Sequence, residues 1–140
     1  MSIYKNHEGY ADPTAGQAIA RASRVPLVFI SSPYGADPEG NTVKARIYCR
    51  FAVDKGAVPL APHLLYPQFL SEEKERSLAL TFGLRLLDRC DEMWVFGIPS
   101  PGMKAEITRA RNKRIPIRFF RETITPRGTN VSEVSVNDRV

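Results

Sequence analysis

Glu106 is the residue whose neighbours in the chain point most directly to chemistry. It lies in the run EMWVFGIPSPGMKAEITRA, from Glu92 to Ala110, six residues after Ser100. Met103, Ile107 and Ala110 fall on one helical stripe, so a helix is predicted from Met103 to Lys113, with Glu106 on the border of its buried face. The first N–H groups of a helix have no partner within it and can hold an anion. Ser100, Gly102 and Met103 are therefore candidate anion-binding residues, and Glu106, one turn further on, is aimed roughly where the bound molecule would lie. A Glu in a first turn also complements the helix macrodipole without any ligand. A second candidate group follows Leu27–Ser31. The loop SPYGADPEGN carries Ser32, Pro33, Tyr34, Gly35 and Asn41, and long polar loops after a strand tend to carry function. His63 ends a third short segment, where a histidine serves either packing or proton transfer.

The elements that must position these residues can be read from the pattern. LVFIS (27–31) and MWVF (93–96) are apolar on both faces, as buried parallel strands are. Ala57–Ala61 and Ile115–Phe119 supply two more strands. Helices are predicted from Asn41 to about Lys55, closed by Gly56, and from Ser71, with Glu72, Glu73 and Glu75 suiting its first turn, to about Arg89. LLYPQFL after His63 reads as an apolar surface or lid segment without regular helix, because of Pro67. Gly83, inside the apolar arc of the second helix, suggests close helix–sheet approach. The alternation β-α-β-α-β-α-β implies a parallel sheet of about four strands, order 2-1-3-4, with helices on both faces: an α/β, flavodoxin/Rossmann-like three-layer sandwich. Residues 1–24 read as an arm with a short helix from Pro13 to Ser23 capped by Asp12. Residues 25–122 form the domain, and 123–140 read as a loose polar tail.

Composition narrows the field. The chain has 140 residues, suited to one domain, and no run of the roughly 20 apolar residues that a membrane helix needs. Its first residues lack an apolar signal-peptide core, and the reading is cytoplasmic. Cys49 and Cys90, with two histidines in all, give no metal-type spacing, so neither metal nor cofactor is expected. A net charge of +5 favours anionic partners. The basic cluster Arg109, Arg111, Lys113, Arg114, Arg118 and Arg121 lacks the aromatic interleaving or helix-turn-helix pattern of nucleic-acid binders, which argues against that partner.

FISSPYG at the end of the first strand and SPGMKAEITRA after the third, with Cys90-Asp91 before that third strand and Asn41 opening a helix, together resemble the nucleoside 2-deoxyribosyltransferase-like superfamily, more closely its DUF4406-type bacterial and phage branch. The resemblance covers about residues 25–120. It implies that Glu106 is a nucleophile toward the anomeric carbon of a nucleoside, that Ser100 binds a 5′-phosphate, and that Tyr34 and its loop close over the sugar. It further implies a neighbouring subunit that completes the pocket, hence a homo-oligomer. The family pattern places an Asp eight residues before the Asp of the CD pair, and Gly83 stands there instead. Ser32 replaces the commoner Gly of the first motif. Two readings follow: an N-glycosidic-bond hydrolase or deoxyribosyltransferase acting on a nucleoside or its 5′-monophosphate, or a non-catalytic module that binds such a nucleotide.

Overall fold

A computed structural model describes residues 13–135. The expected Asp12 cap and the last five residues of the expected tail lie outside it. Helix α1 (Pro13–Ala22) has no buried side chain. The central strands are β1 (Leu27–Ser31) and β3 (Glu92–Phe96), paired in parallel with Phe29 opposite Met93 and Ser31 opposite Val95. Strand β2 (Val58–Leu60) flanks β1 and β4 (Ile117–Thr125) flanks β3, both in parallel. The order 2-1-3-4 expected from the alternation is present. The first strand is further clamped to the third by Asp91, whose carboxylate accepts the Leu27 N–H at 2.8 Å.

The expected loose tail is a correction. Strand β4 runs on to Thr125, and after a tight turn β5 (Gly128–Glu133) returns antiparallel beside it, giving the sheet order β2-β1-β3-β4-β5. The segment reads as polar because β5 is an edge strand whose residues are at most half-buried. Val131 is the residue that packs toward the core.

Helices cover both faces of the sheet, which explains why its strands are apolar on both sides. On one face α2 (Pro38–Asp54) presents Tyr48 and Ala52 to Val28, Ile30, Trp94 and Phe96. On the other, α4 (Arg76–Leu87) and α5 (Pro101–Asn112) present Leu87, Met103, Ile107 and Ala110 to Phe29, Met93 and Val95.

Helix starts differ from the sequence reading for identifiable reasons. Helix α2 begins at Pro38, not Asn41, because Asp37 accepts the Gly40 N–H at 3.2 Å and Pro38 occupies the first turn. Replacing Asp37 with Ala should cost about 1 kcal/mol of stability, read as a lower urea midpoint at unchanged slope. Helix α4 begins at Arg76, not Ser71. The acidic signal closes a separate turn instead, with Glu75 Oε1 accepting the Ser71 N–H and Ser71 Oγ accepting the Lys74 N–H. LLYPQFL is not wholly irregular: α3 (Pro62–Leu65) and a 3₁₀ turn (Tyr66–Gln68) occupy most of it.

Candidate functional site

Strand parity builds the floor of the site. Side chains 27, 29 and 31 of β1 face α4 and α5, so Ser31 points to the face where α5 lies. Its hydroxyl donates to Glu106 Oε1 at 2.7 Å. Glu106 belongs to the buried stripe rather than to its border, being 6% exposed. Burial pushes its pKa up to about 7, against the opposing effect of the Ser31 hydrogen bond. Its ionisation is thereby moved toward neutral pH, a range that suits either proton transfer or nucleophilic attack.

Above Glu106 opens a cleft of about 810 Å³. It lies at the carboxyl ends of β1 and β3, where open α/β sheets hold ligands. Pro33, Tyr34, Gly35, His63, Ser100, Gly102, Met103 and Glu106 all line it. Asn41 and Ser32 do not. Asn41 lines a separate hollow of about 250 Å³ on the α2 side, with Pro33 between the two, and its amide donates to the Tyr34 carbonyl at 3.0 Å. Ser32 is buried, and its Oγ has no hydrogen-bond partner among the described residues. Its carbonyl accepts from His63 Nε2 at 2.8 Å, which fixes the proton on that nitrogen. The Tyr34 and His63 rings stack, with centroids 5.0 Å apart. Burial lowers the His63 pKa, with the Ser32 hydrogen bond and Glu72 acting the other way.

At the start of α5, Ser100 is the cap. Its Oγ accepts the Met103 N–H at 3.3 Å, and its own N–H reaches the Met103 sulfur at 3.4 Å. Pro101 has no N–H, so Gly102 carries the first-turn donor left for a ligand. The start of α2, which follows the other candidate loop, is capped from within the chain, Asp37 accepting the Gly40 N–H at 3.2 Å.

Gly83 lies directly across from Glu106. A Cβ built there would be 3.8 Å from Glu106 Oε2 and 3.8 Å from Pro62 Cγ, ordinary contact distances. The helix does not need glycine to approach the sheet, which corrects the expectation. What the glycine leaves is space facing the carboxylate. Asp88, the nearby acid just past the end of the same helix, is held in a two-bond pair with Arg109 at 2.8 and 2.6 Å.

Two residues of the site escaped the sequence reading. Ser31 was legible from alternation, since it shares parity with Phe29. Arg76 was not: it sits in the first turn of α4 and extends its guanidinium across the cleft mouth to within 3.2 Å of where a Gly35 Cβ would lie. Its nearest carboxylate is that of Glu72, at 3.9 Å.

Elsewhere, Arg118 of the basic cluster is bound to Glu133 and stacked over Trp94, so with Arg109 two of the cluster's charges are neutralised. Burial pushes the Cys49 and Cys90 thiols up to about 11, Asp91 adding to the effect at Cys90. Among the described residues no three His, Cys, Asp or Glu converge as a metal site would need, and no helix is long and apolar enough to cross a membrane.

A family model described as Domain of unknown function (DUF7768) matches residues 26–120. The chain belongs to that family. The DUF7768 region takes in β1 to β3, the helices between them, α5 and every cleft residue named above, and stops within β4 before the β5 hairpin. Among solved structures, the chain is similar to the 2-deoxyribosyltransferase of the psychrotolerant bacterium Bacillus psychrosaccharolyticus, at 19% identity over 68% of this chain and 72% of that one, with a TM-score of 0.48. No curated protein matches.

Proposed function

We propose that this DUF7768 protein cleaves or transfers across the N-glycosidic bond of a nucleoside or nucleoside 5′-monophosphate, with Glu106 as the nucleophile. One observation carries the reading: a buried carboxyl, held by Ser31 at the floor of a cleft, with a helix start and an arginine at its rim. Cleavage of such a bond develops positive charge on the sugar, and a fixed carboxylate stabilises or captures it. Gly102 and Arg76 supply donors for a phosphate, and Tyr34, on its His63 stack, a wall for the sugar or base. Under the same reading the protein is cytoplasmic and self-associating, as its resemblance to DUF4406-type proteins implies.

Incubation with nucleosides and monophosphates, followed by chromatography of free base, tests the proposal, and absence of release from every substrate defeats it. The empty position at Gly83 favours a second reading, a nucleotide-binding module without turnover, for which saturable binding without base release is the signature. In either case Arg76→Ala should weaken a monophosphate about tenfold while leaving the matching nucleoside nearly unchanged, as measured by calorimetric titration. Equal losses would remove Arg76 from the phosphate site.

A further inference from the structure

Among the described residues of one subunit, the cleft holds one buried carboxyl and no acid placed to protonate a departing base. Its other lining carboxylate, Glu72, is at the mouth beside Arg76. The His63 N–H is committed to the Ser32 carbonyl, and the depressed basicity of that ring disfavours the second proton it would need to act as an acid. Across from Glu106 Oε2 there is Gly83. A neutral purine or pyrimidine leaves with negative charge on its nitrogen unless a proton reaches it. A base that is already cationic leaves as a neutral molecule and needs no acid.

We infer that the substrates of this site are N-glycosides of cationic bases, N-ribosylpyridinium or N-alkylpurinium nucleotides, rather than ordinary nucleosides. The inference rests on the N-glycosidic reading above and names its substrate class. The rest of the cleft agrees. Tyr34 and Tyr66 line the cleft with aromatic rings that suit a cationic base, the Glu106 carboxylate attracts it, and Arg76 with Gly102 suits its 5′-phosphate. The Ser31 hydrogen bond occupies Oε1 and leaves Oε2 turned toward the open side. Glu106 forms a bond to C1′ as the C1′–N bond breaks, and the electron pair of that bond neutralises the ring nitrogen. Water then attacks C1′, the glycosyl–Glu106 bond breaks, and the carboxylate is restored. The proton lost by water goes to solvent.

The test uses the full chain with nicotinamide mononucleotide and N7-methylguanosine monophosphate against AMP, UMP and their deoxy forms. Base release is expressed relative to each compound's uncatalysed rate, because cationic glycosides are intrinsically labile. The cationic pair should show an enhancement at least about 100-fold greater, the scale of a missing general acid. Glu106→Gln should abolish it, and Gly83→Asp should raise release from the neutral-base compounds by about tenfold or more. Equal or greater enhancement for neutral bases overturns the substrate class and leaves the N-glycosidic reading intact. No release from any compound, or release that survives Glu106→Gln, overturns both.

Discussion

Glu106→Gln should lower base release by at least about 1,000-fold, the scale of losing a covalent nucleophile, while making the protein more stable above pH 7. The two effects have one origin. In the fold, burial raises the carboxyl from its ordinary 4.5 to about 7, so the charged form is less favourable here than in the unfolded chain. A raised acid imposes no penalty below the unfolded value, where both states are protonated. The penalty grows from about pH 4.5 and is complete above about pH 7, where it amounts to roughly 3 kcal/mol. Gln keeps the shape and can still accept the Ser31 hydrogen bond, yet it never ionises. Urea unfolding at pH 5 and pH 8.5 should therefore show a gain for the variant that is several-fold larger at the higher pH. A carboxylate that merely complemented the helix dipole would give the opposite sign, a loss of up to about 1 kcal/mol on replacement. Such a stability cost at working pH is what the proposed role of Glu106 entails.

The sequence exposed the parallel core readily because β1 and β3 are apolar on both faces and separated by helical stretches, a pattern that few other architectures share. It exposed Glu106 because Met103, Ile107 and Ala110 set the helical phase around it. It hid what depends on weak or long-range signals. Strand β5 is a shallow edge strand, so its polar residues look like tail. The start of α4 was obscured because Ser71 and Glu75 make a good turn of their own just before it. Arg76 reaches the cleft only through folding of the Gly35 loop against α4, a contact with no local trace. Gly83 was visible as an anomaly, but its meaning needed the geometry: a Cβ fits, so the missing side chain is space beside Glu106 rather than a packing necessity.

Ser31 should set the pH range in which Glu106 works. Its hydroxyl donates to Oε1 at 2.7 Å and favours the charged form, holding the carboxyl below where burial alone would put it. A hydrogen bond to a charged group is worth about 1 kcal/mol more than one to a neutral group, close to one pKa unit. Ser31→Ala should therefore move the ionisation from about 7 to nearer 8, upward because the lost partner stabilised the anion. If the carboxylate is the reactive form, base release at pH 7 should fall about fivefold, and the loss should vanish by about pH 9, where both proteins are fully ionised. The measurement is the pH profile of single-turnover base release, whose rising limb should shift by about one unit in the variant. A loss of the same size at every pH would mean that Ser31 only packs against Glu106 and does not tune it. Unchanged rates at all pH values would show that ionisation of this carboxyl is not what limits the reaction.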